Sequence, residues 1–222
     1  MNNILKANQL SKTFNAKTIP VNAVKEVNIK IREGEITVLT GRSGSGKSTL
    51  LHLLAGLEQK TSGTIFYKNQ SYDDLNSKKL TELRRSDMGF VYQFHYLLNE
   101  LTAIENVSLP LLMNNFEKKE ALEKSKEILN TLGLSHRFSH KPSEMSGGEK
   151  QRVAIARSMV HSPSLVILDE PTGDLDSKTS LDVIESLKNY VKDIKSSLLI
   201  ATHDENFKEI SDQTLIMDSG II

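Results

Sequence analysis

The stretch GRSGSGKS, Gly41 to Ser48, decides how this chain is read. It follows the short apolar run EITVLT (Glu35 to Thr40) and opens the run STLLHLLAGL, so a strand, a glycine turn and a helix N-terminus are expected in succession. That context gives the spacing G-x-x-x-x-G-K-[ST] a physical meaning. Glycines let backbone N–H groups cradle phosphate, Lys47 reaches the β and γ phosphates, and Ser48 is placed to ligate Mg²⁺. A phosphate loop alone does not choose among kinases, GTPases and ATPases.

Working outward, SLVILDE (Ser164 to Glu170) and SLLIATH (Ser197 to His203) are also short, almost continuous apolar runs, as expected of parallel strands buried on both faces. Ligand chemistry in open α/β sheets gathers beyond the carboxyl ends of such strands. Asp169 is therefore placed to support Mg²⁺, directly or through water, and Glu170 to orient and deprotonate an attacking water. His203 leaves its strand at the same edge. No Asn-Lys-x-Asp guanine-reading tetrapeptide occurs, which speaks against a GTPase.

VNIKIR (Val27 to Arg32) alternates apolar and polar, and FYKNQ near Phe66 lies in another strand-like segment, so an antiparallel β edge layer is expected beside the parallel sheet. Helical spacing puts Leu122, Ile128, Leu129 and Leu132 on one face, with Gly133 as a stop, and aligns Leu181, Ile184, Leu187, Val191 and Ile194. The segment from about Phe94 to His161 is too long for a simple crossover and rich in helix signals. The expectation is a single α/β domain over residues 1–222, with a helical subdomain at about 94–161.

The totals agree with a globular chain. Its 222 residues, 38% of them apolar, can bury a full core. Lys+Arg and Asp+Glu both number 28, so no global charge favours nucleic acid. The absence of cysteine removes disulfides and thiol chemistry and fits a reducing compartment. No window approaches the length of a membrane span and the N-terminus lacks a leader pattern, so a soluble, cytoplasmically made chain is expected. His136 and His140 have helix-face metal spacing, but no further ligand is placed beside them, and they read as solvated surface.

MSGGEKQR, Met145 to Arg152, raises a separate question. Ser146 and Glu149 have the capping-box spacing, yet Gly147 and Gly148 each cost a helix about 1 kcal/mol relative to alanine. Something is expected to come close to that backbone.

The phosphate loop, Gln93 in FVYQFHY, MSGGE, LVILDE, Asp176 in GDLD and His203 occur in the order and approximate spacing of the ATP-binding subunits of ABC transporters. The resemblance runs from about Ile4 to Gly220. It implies an ATPase with a P-loop fold, working as two copies packed head to tail with two ATPs between them, on two membrane-spanning subunits at the cytoplasmic face of a bacterial inner membrane. It also implies that Gly41, Arg42, Ser43, Gly44, Ser45, Gly46, Lys47, Ser48 and Thr49 bind the phosphates, and that Ser48 and Gln93 bind Mg²⁺ with Asp169 in support. Glu170 is then the base, and His203 holds the γ-phosphate and water. Ser146, Gly147, Gly148 and Glu149 act across the interface on the partner's nucleotide, with Asp176 beside them. Phe14, where tyrosine is more usual, is the candidate for stacking on adenine. Met145 and Glu149 replace the commoner leucine and glutamine.

Within the family, YQFHYLLNELTAIENVSLPLL (Tyr92 to Leu112) looks most like the ATPases of lipoprotein-releasing systems. Tyr96 and Asn99 depart from the usual histidine and proline, and Asp174 from the usual asparagine, which keeps macrolide-export and cell-division relatives as alternatives. Phe94, Tyr96, Leu97 and Leu98 are candidates for gripping a short helix of a membrane subunit, or else for filling a core. A soluble nucleic-acid ATPase is opposed by the lack of a coiled-coil insert or a second ATP domain, and a non-hydrolysing scaffold by intact Glu170 and His203.

Overall fold

The computed structural model describes residues 2–15, 19–173 and 175–222; Asp174 lies outside them. The elements follow in the order β1 (Asn3–Phe14), β2 (Val21–Arg32), β3 (Ile36–Thr40), α1 (Lys47–Leu54), β4 (Ser62–Tyr67), β5 (Gln70–Ser71), α2 (Ser77–Asp87) and β6 (Met88–Val91). They continue with α3 (Ala103–Met113), α4 (Lys118–Thr131), α5 (Gly147–Met159), β7 (Leu165–Asp169), α6 (Ser177–Ile194), β8 (Ser197–Ala201) and β9 (Gln213–Ile216).

Strands β6-β7-β8-β3-β9 form a five-stranded sheet, parallel at every pairing, and β2-β1-β4-β5 form a four-stranded antiparallel sheet. The near-continuous apolar runs have a direct explanation. Val166, Leu168, Leu198 and Ile200 point into a core shared with α3, α4, α5 and α6, whereas Leu165, Ile167, Leu199 and Ala201 point into a second core shared with α1 and the antiparallel sheet. A strand covered on both faces needs apolar residues at every position. β2 faces a core on one side only, and Val27, Ile29 and Ile31 are buried between exposed Asn28, Lys30 and Arg32.

Four strands exceed the expected set. β1 carries the longest antiparallel pairing, the two-residue β5 edges the antiparallel sheet, and β6 and β9 flank the parallel sheet. β6 is only MGFV, and its Gly89 is needed because a Cβ there would stand 2.1 Å from the Ser158 carbonyl oxygen of α5. The helix faces also need correction. On α6 the buried apolar set is Val183, Ile184, Leu187, Tyr190 and Val191, while Leu181 and Ile194 are exposed. On α4, Ala121, Ser125 and Leu129 are buried, and Leu122 only partly so. A periodic pattern fixes the spacing of a stripe, and the neighbour it meets fixes the phase.

Helices α3, α4 and α5 pack on one another, and α5 also packs on β6. Val107, Leu111, Leu129 and Val153 belong to the same buried cluster as Val166 and Leu168. The helical segment thus shares its core with the sheet. Among the described residues, no helix is long and apolar enough to cross a membrane.

Candidate active site

The phosphate loop leaves β3 at Thr40 and enters α1 at Lys47. Gly46 has φ 106°, and a Cβ there would lie 2.2 Å from the Ala23 carbonyl oxygen of β2, so glycine alone lets the loop turn into the helix. No side chain caps α1. Its first-turn N–H groups are left without a capping acceptor, the arrangement that suits an anion.

Lys47 is almost buried, and its ammonium is folded onto the loop. It donates to the Gly41 carbonyl at 2.8 Å and to the Arg42 carbonyl at 3.3 Å, and stands 3.9 Å from Glu170 Oε1. The Ser48 hydroxyl lies beside Asp169, which is 3% exposed. Burial raises the Asp169 pKa, against the opposing pull of that hydroxyl. Its Oδ1 has no hydrogen-bond partner among the described residues.

Glu170 ends the strand with φ 48°, a left-handed conformation that is uncommon for a non-glycine residue and found at functional sites. Its N–H donates to the Ala201 carbonyl at 2.8 Å, which holds it to the end of β8. Its Oε2 lies 3.0 Å from Nδ1 of the largely exposed His203. Two adjacent parallel strands thereby bring a carboxylate and an imidazole together although 32 residues separate them in sequence, from position 170 to 203.

These groups surround a cavity of 660 Å³. Of the residues expected at the nucleotide, Gly41 to Gly44, Gly46 to Thr49, Gln93, Glu170 and His203 border it. Ser45 does not; it is buried, with its carbonyl accepting from Gly220 N. Asp169 lies beneath, in contact with Ser48. Phe94 and Gly173 also border the cavity. Neither was expected there, and only the turn from Glu170 to Gly173, closed by a 3.2 Å backbone hydrogen bond, shows why Gly173 reaches it. Phe14, at the end of β1, does not border this cavity and carries the Lys12 ammonium 4.7 Å from its ring centre.

Ser146 to Glu149 border a different surface. Ser146 caps α5, and the box is closed in both directions: Glu149 N donates to Ser146 Oγ at 3.2 Å, and Ser146 N to Glu149 Oε2 at 2.8 Å. Ser146 and Gly147 are exposed. A Cβ at Gly148 would meet the ends of the Leu175 and Thr179 side chains at 3.1 and 3.8 Å, so packing within the chain is a weak reason for glycine there. Asp176 caps α6, accepting from Lys178 N and Thr179 N. A metal-grade cluster of histidines and carboxylates is absent among the described residues, and His136 instead approaches Glu149.

The segment after Gln93 is held by two side chains that the sequence did not single out. Arg157 of α5 donates to the carbonyls of Tyr96 and His95 at 2.9 and 2.8 Å, and fully buried Asn106 of α3 bonds both the N–H and the carbonyl of Leu98. With its backbone so pinned, the segment exposes Phe94, Tyr96 and Leu98, while Leu97 packs on the core.

The comparisons with known proteins agree with this geometry. The family described as ABC transporter matches residues 24–173. The lipoprotein-releasing system ATP-binding protein LolD of Legionella pneumophila (strain Lens) is 45% identical over 217 residues, covering 98% of this chain and 96% of that protein. LolD of Acinetobacter baylyi is 42% identical over 219 residues, with the same coverage of each. Among solved structures, the dimeric post-hydrolysis state of the ATP-binding cassette MJ0796 bound to ADP and Pi superposes with a TM-score of 0.93 at 35% identity, covering 98% of this chain and 96% of that one.

Proposed function

This chain belongs to the ABC transporter family of ATP-binding subunits, and from that premise we propose how its residues share the work of hydrolysis between two copies. It is the ATPase of a lipoprotein-release system, hydrolysing ATP to ADP and phosphate in coupling to transport, and it works with a second copy of itself and with membrane-spanning subunits. It is peripheral to the membrane, and we place it on the cytoplasmic face of a bacterial inner membrane, where lipoproteins are handed on toward the outer membrane.

One observation carries the residue assignment: the Lys47 ammonium, Glu170 carboxylate and His203 imidazole converge on one cavity at the carboxyl ends of β3, β7 and β8. Nucleotide phosphate in the loop takes the Lys47 ammonium from the Gly41 and Arg42 carbonyls, which frees Glu170 from its nearest cation. The Glu170 carboxylate then accepts a proton from a water that attacks the γ-phosphorus. His203 holds Glu170 Oε2 from one side and the γ-phosphate from the other. Ser48, Gln93 and Asp169 fit Mg²⁺, since a buried carboxylate oxygen without a partner lies beside a hydroxyl donor at the cavity floor. When bound, the ion screens the charge on the β and γ phosphates.

Ser146, Gly147 and Gly148 complete the site of the other copy, with Glu149 and Asp176 holding the starts of α5 and α6. Phe14 stacks on adenine. The exposed Phe94, Tyr96 and Leu98, on a backbone anchored beside Gln93, face a membrane subunit and report the state of the nucleotide to it. Affinity purification from native membranes tests the whole reading: recovery of a lipoprotein-releasing membrane pair, with phosphate release by the complex, is expected. Recovery of an export or cell-division partner instead would replace the substrate assignment.

A further inference from the structure

The start of α5 carries a conflict of charge. A γ-phosphate received at Ser146 and the two glycines would meet the Glu149 carboxylate within the same turn, and like charges at a helix N-terminus offset the attraction that its N–H groups supply. The surroundings of this carboxylate resolve the conflict. Its Oε2 accepts from Ser146 N at 2.8 Å, and its Oε1 accepts from Nε of Arg137 at 2.7 Å. Arg137 ends the short helical turn Ser135–Arg137 that follows α4, so the countercharge comes from a separate element. Nε2 of exposed His136 stands farther from the same oxygen, at 3.6 Å. Residue Glu149 is only 8% exposed, so little water is available to screen it.

We propose that Arg137 is a positioning residue for the cross-subunit phosphate site, neutralising Glu149 and holding it in the capping geometry so that α5 offers the partner's nucleotide donors without a net negative charge. The inference rests on the reading that Ser146 to Glu149 act on the partner's ATP. It explains how this chain carries glutamate where glutamine is commoner in the family. Glutamine could accept the same Ser146 N–H bond without bringing a charge, and would need no arginine to cancel one.

The test is a double-mutant cycle in the Glu170→Gln background, reading by light scattering the ATP concentration that gives half-maximal dimer. Arg137→Gln is expected to raise it about tenfold beside Glu149, but less than about twofold beside Glu149→Gln, since contacting residues couple and the coupling vanishes with the charge. ATP binding by the monomer stays unchanged. Equal increases in both backgrounds, or no increase beside Glu149, would overturn the role. Arg137→Lys keeps the charge and is expected to stay within about threefold of the parent. If Arg137→Gln does not fold, Arg137→Met, which also removes the charge, replaces it in the same two backgrounds: an increase confined to the Glu149 background supports the proposal, and equal increases or none overturn it. Ser146→Arg separates the premise: normal ATP-driven dimerisation by that variant removes the cross-subunit reading and this role with it. Equal increases while Ser146→Arg stays monomeric remove only the role of Arg137.

Discussion

Glu170 Oε2 lies 3.0 Å from Nδ1 of His203, across the ends of two adjacent parallel strands. Its other oxygen is 3.9 Å from the Lys47 ammonium, so the carboxylate is held at both ends before any substrate arrives.

Glu170→Gln preserves the shape of this arrangement but removes the group that takes the proton. Turnover is expected to fall by about 10²- to 10⁴-fold, the worth of a general base, with nucleotide still bound. Phosphate release beside an equilibrium binding measurement checks this; an unchanged rate would exclude Glu170 as the base.

Ser146 is exposed at the start of α5, and arginine in its place adds bulk where a second copy is expected to sit. Ser146→Arg should block ATP-driven dimerisation while leaving ATP binding by the monomer intact. Ser146→Ala loses the cap, worth about 1 kcal/mol, together with the hydroxyl offered to the partner's phosphate, and should weaken dimerisation without blocking it. Specific ATPase activity of the parent should rise with protein concentration, and efficient turnover by a demonstrably monomeric form would return the motif to being only a helix cap.

Asp169 predicts a conflict between stability and function. Burial raises its folded pKa, so its contribution to stability is full below the unfolded value and is lost as pH rises through the folded one. Neutral Asn at this position removes the cost of the buried charge at pH 7. Without nucleotide and with chelator present, Asp169→Asn should melt a few degrees higher, about 2–4 °C for each kcal/mol in a chain of this size, and should bind Mg²⁺ with ATP more weakly. A lower melting temperature would show that the Ser48 contact outweighs burial.

Glu149 predicts the opposite slope. Burial opposes its charge, yet the Ser146 N–H and the Arg137 guanidinium hold it down at about 2, against its ordinary 4.5. The stabilisation is therefore present above the ordinary value and is lost as pH falls from there through about 2. The melting-temperature advantage of the parent over Glu149→Gln should be constant near neutral pH and shrink in that acid window. A gap independent of pH would mean that the carboxylate does not draw its stability from those partners.

Much of this was legible in the residues. Local rules govern the phosphate loop, where a strand run, fixed glycine spacing and a helix run are contiguous, and the Ser146–Glu149 cap, where a spacing of three suffices. The runs around Val166 and Ile200 announced strands buried on both sides. β6 and β9 escaped because they are four residues each, and their place in the sheet depends on neighbours rather than on a pattern of their own. The outer residues of α6 escaped for a related reason. Helical spacing admits Leu181 and Ile194 to the stripe, but the buried face runs through Ser180, Val183, Ile184, Leu187, Tyr190 and Val191 and leaves both exposed.

By itself the sequence determined the α/β class, the position of the phosphate loop, the acidic end of LVILDE and the two helix starts, because each depends on interactions among residues a few positions apart. Tertiary structure alone decided which distant side chains meet. Glu170 joins His203 through strand order, Arg157 and Asn106 pin the segment after Gln93, and Arg137 reaches Glu149 from a separate turn. The physical reason is range: periodicity and capping are encoded locally, whereas a charge or hydrogen-bond partner across elements exists only once the cores have fixed where those elements lie.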